Sequence, residues 1–290
     1  MDRDMFTHPA TTSNLDTLRT RGVHVIEPDE GELASGLEGK GRLADPARIR
    51  EELTSWFINR NPLMGYRALI TAGPTHEPLD AVRFVGNRSS GRQGVAIAME
   101  LASRGMIVDL IAGPMEQTAD HPAIQRRDVG TAIEMQAAAL EALQNNAPDV
   151  IIGTAAVSDV RPSNPMEGKA PKVDLPHQIQ LTENPDILSG LNAAASVLCF
   201  KVGFALAHDD GLEAAIKKRK QKGCDLVILN SLADKGAGFE HTTNQVRFVY
   251  GPDRIDSFEL KSKEAVAVDL AEVIQGKLLK RKPFAAEPTD

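Results

Sequence analysis

From Tyr66 onward the chain alternates short β-branched apolar runs with longer stretches of helical period, the signature of strand, crossover helix and next parallel strand. The apolar runs cover 68–71, 107–111, 150–153, 197–202 and 226–229. They scarcely alternate, which suits strands buried on both faces. Helices are expected over 95–104, 131–145, 212–223 and 263–279, the second opened by Thr131 with Glu134 three residues on. Residues 245–250 alternate and stop at Gly251-Pro252, so they predict a hairpin strand with 255–260 as its mate. The expected fold is α/β and Rossmann-like: a mostly parallel central sheet with flanking helices and a C-terminal hairpin.

The first sixty or so residues differ in texture. Gly31, Gly36, Gly39 and Gly41 crowd one loop, a short helix is expected over 46–57, and Asn59-Arg60-Asn61-Pro62 forms a polar joint. So short a segment buries little core of its own. The predicted organisation is therefore 1–60 as an N-terminal fragment and linker, 61–280 as the main domain, and 281–290 as a disordered tail. Lys and Arg total 33 against 40 Asp and Glu, a net charge of −7, which argues against a broad nucleic-acid or anionic-membrane surface. Aromatics are 4% of the chain with Trp56 the sole tryptophan, too few for base-stacking platforms. No apolar run approaches the ~18 residues of a membrane span. Cys199 and Cys224 both lie in apolar stretches and are expected as buried free thiols of a cytoplasmic protein.

Chemistry concentrates in the loop after the first sheet strand. It runs from Gly73 through Asn87-Arg88-Ser89-Ser90-Gly91 to the helix, and its small residues offer amides and hydroxyls where a helix dipole is positive, a seat for an anion. Neither Gly-x-Gly-x-x-Gly nor a P-loop pattern occurs, because Arg92-Gln93 stands where a P-loop carries lysine and a hydroxyl. His76 and His208 lack any partner at metal-ligand spacing, so no protein-held metal is expected.

The blocks Ile70-Thr71-Ala72-Gly73-Pro74-Thr75-His76-Glu77-Pro78-Leu79-Asp80, Val82-Arg83 and Asn87-Arg88-Ser89-Ser90-Gly91 resemble the opening of phosphopantothenoylcysteine synthetase, the ligase half of the bifunctional coenzyme A biosynthesis protein. Ala155-Ala156-Val157-Ser158-Asp159, Lys169 and Asn184-Pro185-Asp186 extend the resemblance in the same order. It implies a phosphopantothenate–cysteine ligase that consumes CTP with Mg2+, passes through an acyl-cytidylate and releases pyrophosphate. By the same resemblance Asn87, Lys169 and Arg83 are catalytic. Ala155, Ala156, Asp159, Phe204, Lys218 and Lys222 hold the nucleotide, and Ser89, Ser90 and Gly91 cradle the substrate phosphate. The implied partners are 4′-phosphopantothenate, cysteine, a second copy of the chain in a homodimer, and a decarboxylase domain or chain. Lys169-Ala170-Pro171-Lys172 departs from the family's Lys-x-Lys-Lys, and no glutamate follows Gly203-Phe204-Ala205.

Residues 1–10 and 31–42 resemble the final third of phosphopantothenoylcysteine decarboxylase, with Asp2 in place of the usual asparagine and Ser35 in place of a reactive cysteine. A serine hydroxyl is far less acidic than a thiol. Neither decarboxylase activity nor bound FMN is expected on this ground. Two further readings are a nicotinamide-dependent reductase and a catalytically impaired nucleotide-binding module that docks on a decarboxylase.

Overall fold

The computed structural model describes residues 1–169, 171, 178–207, 210–231 and 241–281. The chain divides into two compact units, Met1–Asn61 and Pro62–Asp290. The first holds α1 (Arg3–Phe6), α2 (Pro9–Thr20), an antiparallel ribbon of β1 (Asp29–Glu32) with β2 (Glu38–Arg42), and α3 (Pro46–Arg60). Leu33 and Ala44 are its only fully buried apolar side chains among the described residues, so polar contacts organise it. Asp2 caps α1, and Ser35 Oγ donates to the same carboxylate at 2.9 Å.

The second unit is built on β3 (Arg67–Ala72), β6 (Ile107–Ala112), β7 (Ile124–Asp128), β8 (Val150–Gly153), β11 (Phe200–Ala207), β12 (Leu226–Ser231), β14 (Val246–Gly251) and β15 (Arg254–Ser257). They form one eight-stranded sheet in the order β15-β14-β12-β11-β8-β3-β6-β7. The strands from β12 through β7 are parallel, and the β14–β15 hairpin closes one edge antiparallel. Short ribbons, β4 (His76–Pro78) with β5 (Phe84–Gly86), β9 (Val160–Pro162) with β10 (Leu181–Glu183), and β13 (Thr243–Asn244) with β16 (Lys261–Ser262), decorate its connections. The Rossmann-like α/β arrangement is thus the fold observed.

Side-chain alternation sorts the core. Ala68, Ile70 and Ala72 of β3, with Val108 and Leu110 of β6, pack under α4 (Arg92–Ser103) and α8 (Lys263–Arg281). Leu69, Ile111 and Ile151 face the other way, toward α5 (Ala132–Asn146) and α6 (Ile187–Ala194), and α7 (Leu212–Gln221) covers Val227 and Leu229 on that side. The Thr131–Glu134 capping box forms as the spacing predicts. The expected run at 197–202 is displaced: Val197 is 92% exposed, and β11 begins at Phe200 and continues to Ala207. Residues 282–290, most of the expected tail, lie outside the described residues, as do Lys172 and His208.

Candidate functional site

β3 and β8 are hydrogen-bonded neighbours, yet their chain connections leave toward opposite edges of the sheet. Such a switch point opens a crevice beyond the carboxyl ends of the strands. Here it is a cavity of about 830 Å³. Its floor is knitted from the two strand extensions: Thr154 and Ala156 donate their backbone N–H groups to Thr71 and Gly73, and Ser158 donates to Thr75 Oγ1 at 3.0 Å. Two glycines let α4 reach this floor. A Cβ on Gly94 would lie 2.4 Å from Thr154 Oγ1 and 2.5 Å from Ala72 Cβ, and Gly91, at φ +72°, would drive one to 2.0 Å from Met115 Sδ. No side chain caps α4, so its first turn meets the cavity with its dipole unopposed.

Most of the expected site residues gather on this cavity: Asn87, Ser89, Ser90 and Gly91 from the α4 entrance, Ala155, Ala156 and Asp159 beyond β8, Phe204 of β11, and Lys218 and Lys222 at the end of α7. Asn230, at the end of β12, joins them. The Asn87 amide donates to the Val157 carbonyl at 2.8 Å, which ties the α4 loop to the β8 loop. Arg83 and Lys169 stand outside the lining. Arg83 is ion-paired to buried Asp80, whose carboxylate also accepts the Val82 and Arg83 N–H groups at 2.8 and 2.7 Å. Lys169 is an exposed loop residue just past Gly168, whose carbonyl accepts the Ala81 N–H at 3.0 Å.

The lysines of α7 are already engaged. Lys222 is ion-paired with Asp186, which also caps α6 and accepts from Ser189 Oγ at 2.6 Å. Burial alone would raise the Asp186 carboxyl, but hydrogen bonds from Lys222 and Ser189, with the lysine's charge, carry it below its ordinary value. Lys218 Nζ donates to the Phe204 carbonyl at 2.7 Å, and burial, reinforced by Lys222, lowers its pKa.

The opposite end of the cavity holds residues that the sequence reading passed over. Arg92, Gln93, Asn244 and Lys263 all line it. Gln93 Nε2 donates to the Lys263 carbonyl at 3.1 Å, joining the first turns of α4 and α8. Among the described residues, Gln93 Oε1 and Asn244 Oδ1 are buried without a hydrogen-bond partner. Burial and the neighbouring Arg92 charge lower the Lys263 pKa. No spacing rule links positions 93, 244 and 263, because the sheet alone brings them together.

A helix start without a side-chain cap, over the switch point of a parallel sheet, defines a Rossmann-like α/β protein with an open cleft at its strand ends. The description "DNA/pantothenate metabolism flavoprotein C-terminal domain" matches residues 63–278, and the chain belongs to that family. It is 43% identical over 274 residues, 93% of this chain and 76% of the relative, to a protein of an unknown prokaryotic organism named Cysteine/Cysteine sulfinic acid decarboxylase. It is 36% identical to the Haemophilus influenzae coenzyme A biosynthesis bifunctional protein CoaBC, over 94% of this chain and 67% of that protein. The crystal structure of a CoaBC C-terminal domain superposes with a TM-score of 0.62 at 32% identity, over 76% of this chain and all of that one.

These findings correct the expected synthetase. The family description is of a flavoprotein and the 43%-identical relative is named a decarboxylase, which overturns the CTP-dependent ligase with its acyl-cytidylate and Mg2+. The same findings overturn the companion statements that decarboxylase activity and FMN are not expected. Neither the reductase nor the impaired docking module fits them.

The flavin mononucleotide implied by the family description carries a phosphate on a hydroxylated chain. The α4 entrance suits the phosphate, and the orphaned Gln93 and Asn244 oxygens suit hydroxyl donors. A phosphorylated substrate acid fits by the same chemistry.

Proposed function

We propose that the chain serves a flavin-linked decarboxylation in coenzyme A biosynthesis, and that its cavity takes a phosphorylated acid of the phosphopantothenate type. The observation that carries this reading is the uncapped α4 entrance on an 830 Å³ crevice, where phosphate and an extended organic chain have room together. In this reading Ser89, Ser90 and the Gly91 backbone hold the phosphate. Ala155 and Ala156 let the chain of the ligand lie close to the strand ends, and Asn87 keeps the two loops in register. Asp159, Phe204, Lys218 and Lys222 orient the far end. A bound flavin would supply reversible two-electron oxidation. Burial pushes the Cys199 thiol up to about 12 and raises that of Cys224, so neither is a thiolate at neutral pH.

The ligands implied are 4′-phosphopantothenate and cysteine, or their conjugate, and a decarboxylase-type domain or chain as partner. A homodimer belongs to the same reading, supported by Val82 and Phe84, 59% and 53% exposed on and beside the β4–β5 ribbon, and a cytoplasmic setting by the two free thiols. Among the described residues no helix is long and apolar enough to cross a membrane. The test is CO2 release from phosphopantothenoylcysteine by the full chain supplied with FMN. Release that falls when Ser90 is replaced by Ala supports the reading. Absence of both release and conjugate binding in calorimetry rejects it.

A further inference from the structure

Lys263 is the first residue of α8 and lines the cavity, yet it is only 4% exposed. Its backbone is pinned from outside its own helix: the N–H donates to the Thr242 carbonyl and the carbonyl accepts from Gln93 Nε2, both at 3.1 Å. The root of the side chain is therefore fixed. Burial, and after it the Arg92 charge on α4, lower the pKa of the amine, while Glu264 opposes them. The start of α8 adds the positive end of a helix dipole, and Lys261 of β16 is occupied by Asp269 at 2.6 Å. More of this amine is neutral at a given pH than of an exposed lysine. A desolvated lysine beside a second cation is the arrangement that turns an amine into a nucleophile for carbonyl carbon. Lys218 differs, because its Nζ donates to the Phe204 carbonyl and the Asp186 and Asp159 charges favour its ammonium form.

Two buried acceptors complete the setting. Among the described residues Gln93 Oε1 and Asn244 Oδ1 have no hydrogen-bond partner, although both side chains line the cavity with Lys263. An unpaired buried acceptor forfeits its hydration without return. Gln93 cannot relieve its oxygen by turning its amide, because its nitrogen is spent on the Lys263 carbonyl. We propose that Lys263 captures the carbonyl carbon of a small 2-oxo acid as an imine, with Arg92 beside the acid's carboxylate. The neutral Nζ attacks the carbonyl carbon, the C–O π pair moves to oxygen, and a proton passes from nitrogen to that oxygen to give a carbinolamine. The hydroxyl then leaves as water with a proton taken from solvent, which forms a protonated C=N bond. Hydrolysis reverses the step, and no oxidant or reductant enters. The carbinolamine O–H and the imine N–H are the donors that the two amide oxygens lack. Neither flavin nor decarboxylation takes part in this capture, so its outcome is read separately from CO2 release.

Incubation of the full chain with glyoxylate and sodium cyanoborohydride tests the capture. Hydride passes to the imine carbon and leaves a stable secondary amine, which peptide mapping by mass spectrometry locates. Exposed Lys277, on the same helix, serves as the internal standard. At neutral pH the adduct should form several-fold faster on Lys263 than on Lys277. Propionaldehyde, which lacks the carboxylate, should lower that ratio. Asn244→Leu should slow labelling of Lys263 and leave the rate at Lys277 unchanged. Lys263→Arg, which keeps the charge but forms no imine, should lose the fast phase of adduct formation in the intact mass. The wild-type map stands even if a variant fails to fold. Labelling of Lys263 no faster than Lys277, equal ratios for the two carbonyl compounds, or a fast phase that persists in Lys263→Arg overturns the assignment.

Discussion

The two ends of the crevice solve the problem of buried polarity in opposite ways. At the α7 end, Lys222 has Asp186, Asp186 has Ser189, and Lys218 has the Phe204 carbonyl, so the charges are answered inside the protein. At the α4 end, a helix start is uncapped and, among the described residues, two amide oxygens accept from nothing. The first arrangement contributes to holding α6 and α7 together. The second withholds stability that a ligand can return, which is how recognition sites commonly differ from structural polar clusters.

Gly94→Ala strikes the α4 end hardest. The new methyl group meets Thr154 and Ala72 well inside contact distance, so the helix must shift off the floor, at a cost of about 1–3 kcal/mol in urea unfolding and with weakened phosphate binding. Unchanged stability would mean that the close approach of α4 is not what aims its amides.

A smaller effect is expected at the other end. Asp186 is depressed in the folded state, so its contribution is complete above its ordinary value of 3.8 and is lost as pH falls through the lower folded value. Asp186→Asn, which keeps a capping side chain, should flatten the acid limb of the stability profile. At neutral pH it should cost only ~0.2–1 kcal/mol, because the pair with Lys222 is partly exposed. An unaltered acid limb would remove the Lys222–Asp186 pair from the comparison. The smallest effect belongs to Arg83→Ala and Lys169→Ala, which should change ligand affinity by less than ~0.5 kcal/mol, since neither side chain lines the cavity. A large loss in either variant, read by calorimetry, would extend the site beyond the crevice.

Legibility followed the range of the interactions. The strands at 68–71, 107–111, 150–153 and 226–229 could be read because burial on both faces demands continuous apolar runs, and α5 because its cap is written in four consecutive positions. The edge strand β7, Ile-Gln-Arg-Arg-Asp, carries no such run, since an edge is half solvated. The short helix α6, Ile187–Ala194, was passed over as well, although Asp186 stands at its cap. In the site, the serine–glycine entrance was visible as a local pattern. The pairing of Arg83 with Asp80, three positions earlier, shows only when the turn is folded. Gln93, Asn244 and Lys263 were invisible for a stronger reason: their meaning arises from proximity across 170 positions of chain.

The glycine seat of α4 has a consequence for how ligands are selected. A helix lodged where no methyl group fits has little room to slide toward the floor, which favours terminal amides whose aim is set before a visitor arrives. The entropy of arranging them is settled during folding rather than at each encounter, and discrimination at that end rests on whether the guest fits a fixed die.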